Sequence, residues 1–309
     1  MSFVTFLSRH AALVLAVGVF AGLVLPGAAS FLRPFLPLTV AALLVLSVMQ
    51  TRYGELRASF RRPALSFAVV VFMLCALPVL TWAVLVLTGA PQSLRTPIIL
   101  VAAAPPIMAA PAMALLLRLN ASLMLVIVAA STVAAPFILG VVAEIFVAPG
   151  LRIDPAHLAL RLAAFIFGCV VIAGLLRALI GAARIEKRKS ILDVVGLVLL
   201  LTFAIAIMDG IGVRLQNETV YVLSVLGIAF VANVVFQFIG GATFVATGMR
   251  DALTIAYACG NRNIGLLLAV LPETSAPDTL LYFAVAQIPM YTLPAILSPM
   301  YNGLLKRGS

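Results

Sequence analysis

Long apolar stretches separated by short polar connectors run the whole length of the chain. Most of them reach the roughly 20 residues that an α-helix needs to cross about 30 Å of hydrocarbon. Their apolar residues are continuous rather than alternating, which favours helices over the strands of a membrane barrel. The pattern predicts an all-α polytopic membrane protein. Ten spans are predicted, at 11–28, 32–50, 63–88, 96–118, 121–147, 155–180, 191–211, 219–241, 249–271 and 278–302.

The composition supports a bilayer as the surroundings of the chain. Of 309 residues, 64% are hydrophobic and 10% are charged, and the mean hydropathy is +1.22. A soluble domain carries roughly 25% charged residues. The net charge of +10 would suit a nucleic-acid partner, but the basic residues lie in the connectors between apolar stretches. We therefore expect the lipid bilayer, and no nucleic acid, as the partner.

The distribution of basic residues predicts the orientation. With ten spans, fourteen of the 20 Lys and Arg residues fall on one side and five on the other, and Arg262 lies within a span. Connectors rich in Lys and Arg stay in the cytoplasm. The asymmetry predicts both termini in the cytoplasm, in a multi-pass protein of the plasma membrane, of the bacterial inner-membrane type.

The N-terminus allows a competing interpretation. Arg9 and His10, an apolar stretch and the small residues at 27–30 imitate a signal peptide with its cleavage site. Cleavage would remove residues 1–29 and leave nine spans. The sequence leaves open whether this segment is retained.

A basic connector, 184–190, divides the chain. It separates residues 1–183, with spans one to six, from residues 184–309, with spans seven to ten. Spans one to five, at about 11–147, are interpreted as one repeat, and the remaining five as its copy. An odd number of spans makes the second copy enter the membrane in the opposite direction, as in many transporters.

Two spans contain residues that interrupt a helix. Span four carries Pro105, Pro106 and Pro111, and proline removes a hydrogen-bond donor and clashes with the preceding turn. Span nine carries the run 260–263, which is glycine, asparagine, arginine and asparagine. Interrupted spans at corresponding places in two halves indicate a transporter binding site.

Arg262 is the most telling of these residues, because an arginine at mid-membrane faces a cavity or a partner. Two interpretations are open. The guanidinium binds an anionic substrate, or it pairs structurally with a carboxylate, such as Asp193 or Asp209, or with the freed carbonyls of span four. The functional interpretation is favoured.

A few other polar residues lie within spans. Asn233 and Gln237 are four apart in span eight, and Gln287 and Tyr291 repeat that spacing in span ten; interhelical hydrogen bonds are favoured over ligand contacts for both pairs. No catalytic residue, cofactor or metal site is predicted, since the three cysteines and two histidines form no cluster. The predicted substrate-binding residues are Arg262, Asn261, Asn263, Gly260, Pro105, Pro106, Pro111, Ser131, Thr132 and Gln287.

Short strings of the sequence resemble the bile acid:sodium symporter family. They correspond to its third helix, to the segment that links its fourth and fifth helices, and to its broken ninth helix. They are Ala76-Leu77-Pro78, then Arg118-Leu119-Asn120-Ala121-Ser122 followed by Ala130-Ser131-Thr132 and Pro136, and finally Asn263-Ile264-Gly265-Leu266.

The resemblance implies a fold and a mechanism. It implies a core domain at 63–147 and 219–302 and a panel domain at 11–50 and 155–211. Broken helices four and nine would cross in the core, and relative movement of core and panel would give alternating access. The family carries organic anions, such as bile acids, steroid sulfates and small carboxylates, usually with sodium.

The chain departs from the family where the resemblance implies sodium ligands. Sodium is a hard cation that prefers oxygen, as related cations do, but the aligned positions lack side-chain oxygens. They are Met73, Ala110, Pro111, Met124, Val128, Ala258 and Arg262.

We therefore predict that Arg262 substitutes for bound sodium, and that the protein is a secondary transporter of organic anions that is not coupled to sodium. Alternatives are a related inverted-repeat carrier of the auxin-efflux type and a channel-like or sensory membrane protein. An intramembrane enzyme is disfavoured, because no acid–base or nucleophile constellation is present. The substrate, the coupling ion, the direction of transport and the oligomeric state are left open.

Overall fold

The chain is helical throughout the computed structural model, which describes residues 11–51, 54, 62–146, 155–271 and 276–307. The structure is 88% helix, and its described part contains no β-strand. The predicted all-α fold class is thus confirmed. Predictions that rest on other residues, such as Arg9, His10 and the connector residues Arg52, Arg57 and Arg61, lie outside the described residues.

Seven helices of the described chain are long and apolar enough to cross a membrane. They are Pro26–Gln50, Pro63–Leu87, Ala121–Phe146, Ala156–Ile180, Lys189–Asn217, Thr219–Thr243 and Pro277–Lys306. The predicted first span is described only as the 14-residue helix Ala11–Val24, and the predicted fourth and ninth spans are interrupted. The number of ten spans and the inverted repeat stay predictions.

Many large apolar side chains of these helices are exposed. Phe31 is 72% exposed, Phe238 is 74% exposed and Leu87 is 86% exposed. A soluble protein rarely leaves so much large apolar surface open to water, whereas lipid tails accommodate it. The protein is therefore a multi-pass membrane protein.

The structure differs from the prediction at the boundary between the first two spans. The first helix ends at Val24 rather than at residue 28, and the next begins at Pro26 rather than at residue 32. Leu25 leaves the helical conformation, with φ −113° and ψ 71°, and Pro26 then fits a first helical turn because its missing N–H is not needed there. A short 3₁₀ turn at Arg33–Phe35 lets the helix continue to Gln50.

Several long helices contain local irregularities that periodicity does not reveal. A π-helical segment, Phe72–Ala76, precedes Pro78. The predicted span 191–211 is instead Lys189–Ala206 followed by Ile211–Asn217, with Gly210 left-handed between them at φ +74°. The last span is divided into Pro277–Val285 and Gln287–Arg307.

The chain separates into two compact units, and the first consists of Met1–Thr51 and Ala164–Ser224. In it, helix Ala11–Val24 packs on Lys189–Ala206. A Cβ at Gly22 would lie 2.6 Å from the carbonyl oxygen of Ile205, so glycine is required for this close approach.

The second unit consists of Arg52–Ala163 and Val225–Ser309. It holds both interrupted helices, and helix Ala121–Phe146 contacts the N-terminal half of each of them, Gln92–Ala103 and Met249–Gly260. The predicted core and panel domains stay a prediction, but every residue of the predicted substrate-binding set lies in this unit.

Candidate functional site

The first interruption spans residues 104–109. Helix Gln92–Ala103 stops there, and a second half-helix, Ala110–Leu116, begins beyond it. Ala104 is extended, with ψ 149°, as expected for a residue that precedes a proline. Pro105 and Pro106 have no N–H to continue the helix, whereas Pro111 lies in the first turn of the second half-helix, where proline is tolerated. We call residues 104–109 the first break.

The second interruption is shorter. Helix Met249–Gly260 ends before Asn261, whose φ of −103° and ψ of 83° are not helical. Helix Ile264–Val270 follows, and the side chain of Asn263 caps it by accepting a hydrogen bond from the N–H of Leu266 at 3.2 Å. We call residues 261–263 the second break.

The two breaks pair with each other through their backbones. Pro106 and Arg262 form an antiparallel bridge. The N–H of Ile107 donates to the carbonyl of Asn261 at 2.9 Å, and the N–H of Asn263 donates to the carbonyl of Pro105 at 2.7 Å. Inside a membrane each freed backbone group needs a partner within the protein. Each break supplies such partners to the other, so the two interruptions cross and stabilise one another.

Arg262 reinforces this crossing with its side chain. It is 1% exposed. Its Nε donates to the carbonyl of Cys259 at 2.6 Å and its Nη1 donates to the carbonyl of Ala104 at 2.8 Å. Both carbonyls belong to C-terminal ends of half-helices, where the helix dipole is negative. The guanidinium therefore joins two negative helix ends at the crossing.

The structure decides between the structural partners considered for Arg262. One partner is a freed carbonyl of span four, that of Ala104, as one of the two alternatives expected, and the other is the carbonyl of Cys259 in span nine itself. Asp209 instead forms an ion pair with Arg33, with 3.2 Å between Nη1 and Oδ2. No ion pair links Arg262 to an acidic side chain among the described residues.

A chain of neutral hydrogen bonds holds the end of helix Met249–Gly260. Tyr301 donates from its hydroxyl to Oε1 of Gln237. Gln237 in turn donates from Nε2 to Oδ1 of Asn233 at 2.6 Å, and Asn233 donates from Nδ2 to the carbonyl of Gly260 at 2.8 Å. Asn233 and Gln237 thus make the interhelical hydrogen bonds that were favoured for them. Tyr301 is a member of this chain that sequence reasoning missed, since a single tyrosine near a helix end carries no signal.

Several buried polar side-chain atoms have no hydrogen-bond partner among the described residues. Most such atoms in native proteins are satisfied, so each unsatisfied one needs an explanation. Those that belong to the predicted binding residues are Nη2 of Arg262, Oδ1 of Asn261, Oγ1 of Thr132, and both Nε2 and Oε1 of Gln287.

A small pocket lies against the crossing and is walled in part by Arg262. Its free space is about that of one water molecule. Its wall is mostly apolar, and apart from Arg262 it has polar atoms chiefly from Asn233 and Tyr282. The other lining residues are Val101, Ala229, Phe236, Gly260, Ile264, Ala286 and Met290.

The predicted binding residues differ in where the structure places them. Hydrogen bonds of the crossing bring together Pro105, Asn261, Arg262 and Asn263, with Pro106 in the bridge and Gly260 beside them. Ser131 is satisfied within its own helix, since its hydroxyl donates to the carbonyls of Ile127 and Val128 at 2.6 and 3.2 Å. Thr132 and Gln287 are buried. The interhelical hydrogen bonds favoured for Gln287 are absent, since neither Nε2 nor Oε1 of its amide has a partner among the described residues. The binding role of these residues stays a prediction.

A second polar cluster, which sequence reasoning did not single out, lies at the start of helix Met249–Gly260. Asp251 accepts hydrogen bonds from Nη1 of Arg62 at 3.0 Å and from Nδ2 of Asn120 at 2.7 Å. The backbone N–H of Asn120 also donates to the hydroxyl of Thr254 at 2.9 Å. This cluster ties the connector after the first interrupted helix to the beginning of the second one.

Comparison with known proteins gives the family. The model of the sodium bile acid symporter family matches residues 37–218, which is more than half of the chain. A search of curated proteins found no match. The matched region includes the first break but ends before the second, so Arg262 lies outside it. By this match, the chain belongs to the sodium bile acid symporter family, a family of membrane transporters.

Proposed function

We propose that the protein is a secondary transporter of organic anions that works by alternating access without sodium. The crossing of the two breaks, with Arg262 buried at its centre, is the observation that carries the proposal. The family match supports transport. The proposal includes the architecture expected from the resemblance, namely ten spans in two inverted repeats with a core and a panel domain.

The hydrogen bonds of Arg262 support independence from sodium. Carbonyls freed at broken helix ends are typical ligands of a transported sodium ion. Here the carbonyls of Ala104 and Cys259 accept from the guanidinium instead. Two cations a few ångströms apart in a medium of low dielectric constant repel strongly. The fixed charge of Arg262 thus occupies the role that a bound cation has in a coupled transporter.

The same residue supports an anionic substrate. Arginine offers five donors in a planar fork that suits carboxylates and other oxyanions. Nε and Nη1 of Arg262 are engaged with carbonyls, and Nη2 has no partner among the described residues. An oxyanion that accepted from Nη2 would satisfy this buried donor. The amide of Gln287 and the hydroxyl of Thr132 are further buried groups that a substrate would satisfy.

The pocket beside Arg262 supports a substrate with an apolar body. Its wall is formed mostly by aliphatic and aromatic side chains, such as Val101, Phe236 and Met290. In the present conformation it has room for about one water molecule, so an organic anion enters only after this region opens. Such an opening is what alternating access requires of a binding site.

Thermal stability of the purified protein tests the proposal first. A ligand that binds only the folded state raises the melting temperature by mass action. The panel contains taurocholate, benzenesulfonate, benzoate and succinate, each measured in sodium chloride and in choline chloride. We expect at least one anion to stabilise the protein equally in both salts. Stabilisation that needs sodium would contradict the proposed role of Arg262.

Transport is then measured in proteoliposomes as counterflow. Vesicles loaded with an unlabelled anion from the panel are diluted into the labelled anion, and a carrier shows transient accumulation inside. A channel or a sensory protein shows none, so its absence for every anion that stabilises the protein would overturn the carrier proposal.

Arg262→Gln is expected to weaken stabilisation by anions, because the charged donor is replaced by a neutral amide. The matched control is Arg188→Gln, which removes the same charge from an exposed position in the basic connector.

A further inference from the structure

The charge of the site is set by one residue. Arginine stays protonated in proteins, and Arg262 is 1% exposed within its span. The other buried charged residue of the described chain is Asp251, which is paired with Arg62. The partners of the Arg262 guanidinium are two neutral carbonyls. The empty site therefore carries a net charge of +1.

Binding changes this charge by the charge of the substrate. A monoanion that binds Arg262 brings the site to zero, and a dianion brings it to −1. A transporter with bound sodium gains and loses its cation in every cycle. Here the cation is the side chain of Arg262. The positive charge is therefore also present in the empty step, in which the site returns without substrate to the other side of the membrane.

The membrane potential acts on whichever step carries charge. When access to the site changes from one side of the membrane to the other, the charge of the site crosses the electric field. This holds if the site itself moves, and it also holds if the protein closes on one side and opens on the other. One elementary charge across 100 mV corresponds to about 2.3 kcal/mol, which is a ratio of about 50-fold. The empty step feels this force, and the step loaded with a monoanion does not.

We infer that Arg262 makes the return of the empty site the voltage-dependent step, so that an inside-negative membrane potential drives monoanions outward. This inference rests on the proposed function and adds the direction of transport. An inside-negative potential holds the empty site facing inward, where it binds cytoplasmic anion and releases it outside. The protein then works as an exporter, or as an exchanger of one monoanion for another. Without a coupling ion it does not accumulate monoanions inside.

Proteoliposomes with an imposed potential test the inference. The probe is taurocholate, whose sulfonate is ionised throughout, with benzenesulfonate as a second probe. Valinomycin and a potassium gradient set the potential at zero or at about −100 mV inside. Two rates are compared: net efflux into a medium without anion, and exchange with the same anion on both sides.

The expected result is a difference between the two rates. Net efflux accelerates severalfold at the inside-negative potential, because the returning empty site carries a positive charge inward. Exchange omits the empty step and keeps its rate. The inference would be overturned if net efflux did not depend on the potential, or if exchange depended on it as strongly as net efflux. Counterflow observed in the same vesicles would still support the proposed function. Absence of counterflow with every anion of the panel counts against the proposed function itself.

The charge of the probe supplies a matched control. Benzene-1,3-disulfonate differs from benzenesulfonate by one additional charge and brings the loaded site to −1. If it is transported, its exchange is expected to respond to the potential while benzenesulfonate exchange does not. Equal responses of the two probes would contradict the assigned site charge.

Two variants separate the charge of Arg262 from its hydrogen bonds. Arg262→Lys keeps the charge, so net efflux should keep its dependence on the potential at a lower rate. Arg262→Gln removes the charge, so the empty site becomes neutral and the site loaded with a monoanion carries −1. The dependence on the potential should then move from the return of the empty site to the loaded step, and exchange should respond to the potential. A glutamine variant that folds, transports and responds to the potential as the wild type does would exclude Arg262 as the source. If either variant fails to fold, the comparison of net efflux with exchange in the wild type still tests whether the empty step carries the charge.

Discussion

Arg262 donates from Nη1 to the carbonyl oxygen of Ala104 at 2.8 Å, although 158 positions separate the two residues in sequence. The bond fastens the end of one half-helix to the end of another, beside the antiparallel bridge between Pro106 and Arg262. A positive side chain thus lies where two negative helix ends meet, and this relationship determines what happens when the charge is removed.

Arg262→Gln is expected to make the stability of the protein depend on sodium. The substitution frees the carbonyls of Ala104 and Cys259, and hydrogen bonds to a charged group contribute about 1.5–3 kcal/mol each. The variant should melt at a lower temperature than the wild type in choline chloride, and sodium chloride should recover part of the loss. The wild type should melt at the same temperature in both salts.

Arg188→Gln serves as the control for ionic strength, because it removes a charge from an exposed connector position. An equal response of Arg262→Gln and Arg188→Gln to sodium would show that the freed carbonyls do not bind the ion.

Gly260→Ala is expected to destabilise the crossing. A Cβ at this position would lie 2.4 Å from Cγ of Gln237 and 2.8 Å from Oδ1 of Asn233. Overpacking of this kind costs about 1–3 kcal/mol, and it would also disturb the bond from Asn233 to the carbonyl of Gly260. The measurement is the melting temperature in detergent.

Gly227→Ala is the matched control for this change. It lies in helix Thr219–Thr243, and an added Cβ meets nothing within 4 Å. Because alanine favours a helix over glycine, this variant should melt at or above the temperature of the wild type. A Gly260→Ala variant as stable as Gly227→Ala would contradict the close packing at the break.

Tyr301→Phe is expected to weaken the hydrogen-bond chain that ends at Gly260. The change removes the hydroxyl that donates to Oε1 of Gln237 and leaves that buried acceptor without its partner. A buried group left unsatisfied costs about 1–3 kcal/mol. Tyr291→Phe is the control, since Tyr291 is a buried tyrosine of the same helix outside this chain. Equal losses of melting temperature in the two variants would argue against the chain.

In the Asp251 cluster, Arg62→Gln and Asp251→Ala are expected to lower the melting temperature by unequal amounts. Arg62 is 66% exposed at its side chain, and exposed ion pairs contribute about 0–1 kcal/mol. Arg62→Gln should therefore lower the melting temperature little, and less still at high salt. Asp251→Ala also removes the acceptor of Asn120 at 2.7 Å, so its loss should be larger and should persist in high salt. Equal losses for the two variants would show that the ion pair dominates.

The pattern of apolar residues, with the prolines and polar residues that interrupt it, was sufficient to predict the class of protein and the positions of the two breaks. Span length follows from the thickness of hydrocarbon. The consecutive prolines Pro105 and Pro106, and a glycine followed by three polar residues at 260–263, predict interruptions of a membrane helix. These are local properties, so they can be predicted from the sequence. The predicted ends of the helices were less accurate. The first helix ends at Val24 rather than at residue 28, because Pro26 begins a new helix there.

The contacts of the site depended on the tertiary structure. The sequence offered the freed carbonyls of span four as one alternative for Arg262, but it did not single out Ala104, because every residue has a backbone carbonyl. It gave no relation between Tyr301 and Gln237, which are 64 positions apart. Ser131 shows the converse: it was a plausible binding residue, yet its hydroxyl is satisfied by carbonyls one turn earlier in its own helix.

The sequence by itself thus determined that this protein lies in a membrane, that two of its helices are broken, and that a single arginine lies at one break. Only the tertiary structure decided that the breaks pair with each other and that the arginine bonds to helix-end carbonyls rather than to an acid. The physical reason is that burial in hydrocarbon obliges each polar group to find a partner, but chain packing selects which one.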